Sequence, residues 1–276
     1  DDVAALDTAE LDLEIALRLS WQARRLDLRP GRYDVVLPPE CVADLMVCLY
    51  LAGDAGTAHD GRGPFARATG GTRVGERLSE QPLTLRSDPA EHGLRCAPAV
   101  LARTGSPIAS VLDNGVPLPA QEWVSDGVLR GLHTTRRTAR LTGEPPRPAP
   151  GNLVLEHPAP VSTTATTEDL AARLDRGLLA TSFWFVQESA PNELLLTGLL
   201  RDGTYVVDGG EVVGVLGDRR FVESPLALLD RIVEVGATRR AVGRDWGAAF
   251  SRTAMPPVRV SGFEILDVGP PAPGVP

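Results

Sequence analysis

The sequence predicts an α+β fold: a large, mostly antiparallel sheet, curved or barrel-like, with a few helices packed on it. The first observation behind this lies between Gly177 and Glu223. There, apolar β-rich runs (Leu178–Val186, Leu194–Leu200, Tyr205–Val207, Val212–Leu216) alternate with turn clusters at Ser189–Asn192, Arg201-Asp202-Gly203, Asp208-Gly209-Gly210 and Gly217-Asp218. Connections this short join neighbouring antiparallel strands, so the stretch reads as a meander of four or more strands. Glycine supplies the positive φ that a tight turn at Asp208-Gly209-Gly210 demands. The second observation is that only a few segments carry helical spacing, chief among them Thr8–Asp27 and Glu40–Ala52.

Taken in order, Thr8–Asp27 repeats Leu11, Ile15 and Leu19 on one face, an amphipathic helix expected to pack on the sheet or on a partner. Pro30-Gly31 breaks it, and Tyr33–Leu37 is a strand. Pro38-Pro39 opens a second helix, where Glu40 suits the positive end of the helix dipole. That helix is apolar nearly all round and is expected to be buried. Residues Gly53–Gly75 read as a long loop. Leu83–Leu85 and Pro107–Leu112 read as strands, Asp113-Asn114-Gly115 as a hairpin-type turn, and the region from Trp123 to Asp126-Gly127-Val128-Leu129 as strand–turn–strand. Thr134–Thr142 suits a short helix, and Gly143–Pro150 is a Pro-rich connector before a strand at Asn152–Leu155. Thr166-x-x-Asp169 is a capping box for a helix over Glu168–Asp175. Pro225–Val235 has helical spacing and Pro257–Leu266 alternates as a closing strand. The Pro/Gly tail Gly269–Pro276 is expected to be disordered.

The totals bound the function. With 276 residues, 43% of them hydrophobic, the chain is long enough for a sizeable core. Net charge is −8, and all 28 basic residues are arginines scattered singly or in pairs, which argues against a nucleic-acid surface. The three cysteines, Cys41, Cys48 and Cys96, lack paired metal spacing. His59, His92, His133 and His157 share no spacing suited to joint ligation. No apolar run reaches spanning length and no signal peptide opens the chain, so no membrane partner is expected and a cytoplasmic location is. No Gly-x-Ser-x-Gly elbow appears, and neither Gly61-x-Gly63 nor Gly70-Gly71 leads from a strand into a helix.

One set of residues points further. Gly177-Leu178-Leu179, Trp184, Leu194–Gly198, Arg201-Asp202-Gly203, Gly210-Glu211-Val212 and Arg220-Phe221…Glu223-Ser224-Pro225 form a pattern that resembles the TldD/PmbA (TldE) family of peptide-processing proteases, in an actinobacterial-type branch. The resemblance also covers Gly31–Leu51, Arg73–Asp88, Asp113–Leu118 and Trp246–Phe263. It implies a C-terminal domain over 31–268, with 1–30 as a linking helix at the end of a further N-terminal domain. Zinc-bearing members carry His-Glu-x-x-x-His at the start of the helix after the strand, two imidazoles holding zinc and the Glu deprotonating water. Here those positions are Pro39, Glu40 and Asp44, and no Cys follows Cys96 to serve as the family's later thiolate ligand. The chain therefore resembles the partner type, with no catalytic residue or cofactor of its own and zinc in a TldD-type partner. Gln187 stands where the branch usually has Arg, and Gly217-Asp218-Arg219 where it usually has Asn-Asn-Phe.

The resemblance further implies that peptides lie against sheet edges in a chamber that two subunits enclose, whether as a heterodimer or as a homodimer. On that reading Thr197 and Gly198 leave room for a peptide backbone, and Arg201, beside Asp202, holds a carboxylate. Asp113 and Asn114 join them as candidate peptide contacts. The expected function is a non-catalytic subunit of a zinc metallopeptidase complex acting on unfolded or precursor peptides. The alternative is a stand-alone peptide-binding or assembly factor in a specialised biosynthetic pathway.

Overall fold

The computed structural model describes residues 8–106, 108–158, 164–201 and 203–268. The expected tail at 269–276, Pro107 and Asp202 lie outside them. The chain begins with α1 (Thr8–Trp21), β1 (Arg25–Leu26), β2 (Gly31–Leu37), α2 (Pro39–Leu51) and α3 (Ala55–His59). There follow β3 (Thr84–Ser87), β4 (Gln121–Ser125), β5 (Val128–Leu129), α4 (Arg136–Thr142), β6 (Leu153–Glu156) and α5 (Thr167–Ala172). Then come β7 (Arg176–Leu179), β8 (Phe183–Ala190), β9 (Leu195–Leu200), β10 (Thr204–Asp208), β11 (Glu211–Leu216) and β12 (Arg219–Glu223). The last elements are α6 (Pro225–Leu228), β13 (Ile232–Val235), β14 (Arg239–Ala241), β15 (Thr253–Met255) and β16 (Val258–Asp267).

Among the described residues the strands form two sheets, an α+β arrangement. The larger has ten strands in the order β1-β11-β10-β7-β2-β16-β12-β9-β8, with β13 also on β16; the smaller has six, in the order β14-β15-β6-β3-β4-β5. Most pairs are antiparallel; β1 with β11, β2 with β7 and β6 with β15 are parallel. The ordering corrects the meander. Only β8–β9 and β10–β11 are simple hairpins, because β2 and β16 insert between the two halves. The short links at 180–182, 201–203 and 217–218 are crossovers between those halves. In a flat sheet each would span five strand intervals, about 24 Å, whereas four Cα steps reach only about 15 Å. The sheet is therefore rolled until its halves approach, and the three links meet: Thr181 Oγ1 donates to the Gly203 carbonyl at 2.8 Å, Ser182 Oγ to the Arg201 carbonyl at 3.0 Å, and Arg201 pairs with Asp218 at 3.7 Å. The roll stays open, with β1 and β8 as its two edges. The curvature expected from sequence is present and closure into a barrel is not.

Helix α2 is buried from Cys41 to Tyr50 and lies between the sheets, touching β14 and β15 of the smaller one, β2 of the larger one, and α6. Phe183, Phe221 and Phe263 are fully buried and pack ring to ring, with Phe183–Phe221 centroids 4.6 Å apart. Local signals mostly hold. Thr166 and Asp169 form a capping box, Thr135 caps α4, and Asp126 and Gly127 take positive φ in the two-residue turn between β4 and β5. Other segments differ. The first helix stops at Trp21, and Ile15 and Leu19 of its apolar face stay exposed. The 53–75 loop contains α3, which Asp54 starts by accepting the Thr57 N–H. No strand runs from 108 to 112; a 3-10 turn covers Val111–Asp113 instead. The Pro225–Val235 helix ends after Leu228 and a 3-10 turn, because Ile232 and Val235 pair with β16.

Candidate functional site

The N-terminal turns of α2 carry Pro39, Glu40 and Asp44, the positions that the resemblance sets against the zinc motif. Pro39, at the first helical position, has no side-chain donor atom. Glu40 is half exposed and reaches Arg239 at 3.8 Å. Asp44, one turn on, is only 1% exposed. Its carboxylate accepts the backbone N–H groups of Arg244 (3.1 Å, Oδ2), Asp245 (3.1 Å, Oδ1) and Trp246 (3.0 Å, Oδ1). The loop after β14 can approach this closely because Gly243 has no Cβ; one built there would collide with Asp44 Oδ1. Burial lifts the Asp44 pKa to about 6, against the pull of the Trp246, Asp245 and Arg244 N–H groups.

The same loop reaches the edge of the large sheet. Asp245 accepts the Phe185 N–H at 3.1 Å and the Val186 N–H at 2.8 Å. These residues form a bulge in β8, where the register with β9 shifts between Trp184 and Gln187. Phe185 has φ +52° and is 60% exposed, an unusual backbone for a bulky residue. Beside it, the Arg244 guanidinium lies 3.4 Å from the centre of the Trp184 ring and that of Arg201 5.5 Å from it. Beyond the bulge, β8 borders a cleft of about 510 Å³ that it shares with the end of α2 and with α3.

The peptide candidates read from sequence fall into separate places. Thr197 and Gly198 lie in β9, which has β12 on one side and β8 on the other, so their strand has no open edge. Gly198 makes room within the sheet: a Cβ there would sit 2.6 Å from Phe221 Cε1 and 3.0 Å from the Trp184 carbonyl. Thr197 Oγ1 accepts from Arg220 at 3.3 Å. Arg201 stands at the crossover, on Asp218 and Trp184. Asp113 and Asn114 belong to the region around α4. Asp113 is buried and accepts the Arg136 N–H at 3.0 Å and Nε at 2.9 Å, and Asn114 brackets Ala102 through both its amide atoms. Sequence reasoning missed Asp245 and the Phe185 bulge. The available signal was an Asp-Trp pair between two glycines, Gly243 and Gly247.

Residues 30–267 match the sequence profile described as the PmbA/TldA metallopeptidase C-terminal domain. The chain belongs to the PmbA/TldA metallopeptidase family. No curated protein matches it. Its fold is similar to that of TldE from Thermococcus kodakarensis (TM-score 0.72, 17% identity, covering 95% of this chain and 56% of that one). It is also similar to a protein of Thermotoga maritima described as a candidate modulator of DNA gyrase (TM-score 0.70, 20% identity, 95% and 56% covered), and to one of Bacteroides thetaiotaomicron with the same description (TM-score 0.69, 16% identity, 94% and 52% covered). The chain thus spans about half the length of these structures.

A metallopeptidase family implies a metal, and the residues here do not fit one. Zinc needs three or four N, S or O donors converging at about 2.0–2.3 Å. Pro39 offers none, Glu40 is engaged with Arg239, and both Asp44 oxygens are taken by the loop 244–246. Among the described residues no group of three His, Cys, Asp or Glu side chains could hold an ion. His133, fully buried with its pKa lowered to about 4, hydrogen-bonds the Tyr50 carbonyl at 2.7 Å and packs between Tyr50 and Trp123. Cys48, pushed up to about 12 by burial, is an inert core thiol. No described helix is long and apolar enough to cross a membrane.

Proposed function

We propose that this chain is a peptide-holding, non-catalytic subunit of a zinc metallopeptidase complex, and that a TldD-type partner carrying His-Glu-x-x-x-His supplies the zinc. The observation that carries the reading is the occupation of Asp44. Its carboxylate serves as an internal anchor for the loop 244–246, where a zinc-bearing relative would need a ligand. The peptide then belongs at the open edge of β8, whose main chain beyond the bulge has, among the described residues, β9 on one side only. This moves the peptide site from Thr197-Gly198 to the next strand. Arg201 and Trp184 flank it at the crossover. The complex is a heterodimer on this reading, and 31–268 is the part that shapes the chamber. Unfolded or precursor peptides are the substrate class, because strand addition reads main chain in preference to sequence. The net charge of −8 gives nucleic acid no role in it.

Co-purification and a cleavage assay test this. The chain alone is expected to cleave no unstructured peptide, and the chain mixed with a zinc-bearing family member to cleave it. Failure to bind any such partner, with peptide still bound by the chain alone, would favour a stand-alone peptide-binding factor. Cleavage by the pure chain would contradict both.

A further inference from the structure

We propose that the cleft beside β8 receives the side chain of a lysine or arginine on the bound peptide. The inference rests on the peptide-holding reading and adds a preference to it. The cleft has apolar walls, formed chiefly by Leu51, Pro64, Val186, Leu194, Leu196 and Trp246. Two carboxylates, Asp54 and Glu188, also line it, and no lining residue is cationic. In a chain whose 28 basic residues are all arginines, two carboxylates on apolar walls with no arginine among them give this surface a charge that a cation would complement.

Neither carboxylate is neutralised by an arginine among the described ion pairs. Glu188 is exposed on the edge strand. Asp54 is 8% exposed; its Oδ2 accepts the Thr57 N–H at 2.7 Å and Thr57 Oγ1 at 2.6 Å, while its Oδ1 is buried with no hydrogen-bond partner. A buried carboxylate oxygen without a partner is costly unless a donor arrives. The mouth is fixed, because the Gly63 N–H donates to Asn192 Oδ1 at 2.9 Å and ties the loop after α3 to the β8–β9 turn.

The ligand that matches these walls has an apolar stem and a cationic tip, which is the chemistry of Lys and Arg. Geometry agrees. A strand added at β8 places a side chain about 5 Å from each residue it faces, so one residue of the peptide stands beside Glu188. Its stem would lie along Leu196 and Val186, with the tip between Glu188 and Asp54.

The test uses unstructured, fluorescently labelled octapeptides that differ only at a central residue: Lys, Arg, norleucine or Glu. Titrated with the intact chain, the Lys and Arg peptides are expected to bind roughly tenfold tighter than the norleucine peptide, and the Glu peptide weakest. Glu188→Gln should bring the Lys peptide close to the norleucine level, and Glu188→Arg should make the Glu peptide the preferred one. Circular dichroism of each variant checks that the fold is kept. Equal affinities for Lys and norleucine peptides would overturn this inference while leaving strand addition intact. Absence of binding by all four peptides would overturn the peptide-holding reading with it.

Discussion

The carboxylate of Asp44 accepts the backbone N–H of Asp245 at 3.1 Å, and the carboxylate of Asp245 accepts the N–H of Phe185 at 3.1 Å. Two side chains thus connect the buried helix α2 to the edge of the large sheet through one loop. Asp44, at a position the resemblance sets against a ligand of the zinc motif, anchors the chain's own backbone. The peptide edge of the proposed function depends on that anchor, since the bulge it holds sets where β8 is open.

Metal content is the first consequence. With Pro39 bare and Asp44 saturated, the purified chain should carry far less than stoichiometric zinc by elemental analysis after dialysis. A tightly bound ion at about one per chain would contradict the assignment of the zinc to a partner.

Asp44 also has a signature in pH. Its folded pKa is raised from 3.8 to about 6, so between these values the folded state keeps a proton that the unfolded chain has released. Stability should therefore fall as pH rises from about 4 to 6 and level off above, with a limit of about 3 kcal/mol from this group. Buried Glu223, also raised by burial but paired with Arg231, slopes the same way. Chemical denaturation at pH 4 to 7 should show a shallower slope for Asp44→Asn than for the wild type. Parallel slopes would show that Asp44 does not titrate in this window.

Gly198 is a packing position. A side chain there meets Phe221, one of three core rings packed against one another. Gly198→Val should cost about 1–3 kcal/mol of stability, and Phe221→Leu in the same chain should recover part of the loss. A Gly198→Val protein as stable as the wild type would show that the sheet yields at this point.

Much of this was legible in the sequence where local chemistry decides structure. The Pro38-Pro39 helix start, the Thr166/Asp169 capping box and the Asp126-Gly127 turn depend on residues within a few positions of each other. The strands of the 177–223 stretch were legible too, and their pairing was not. A three-residue link reads as a hairpin whenever the sheet is taken as flat, and only the curl reveals that 201–203 joins strands five intervals apart. The site divides in the same way. That Pro39 and Asp44 stand where the resemblance implies imidazoles is visible in the sequence. What Asp44 holds is not, because it is 200 residues from its partner Arg244.

The place of Glu40 in the first turn of α2 suits the helix dipole. The contact of Glu40 with Arg239 is long and half exposed. Glu40→Gln should cost up to about 1 kcal/mol and leave peptide cleavage by the assembled complex unchanged. A large drop in cleavage at intact stability would assign Glu40 a chemical part.

Backbone hydrogen exchange with and without a saturating unstructured peptide reads the open edge of β8 directly. Protection on peptide binding is expected at 187–189 of β8, with no change in β9 and β12, which already have neighbours on both sides. Peptide that binds without slowing exchange anywhere along β8 would contradict strand addition at this edge.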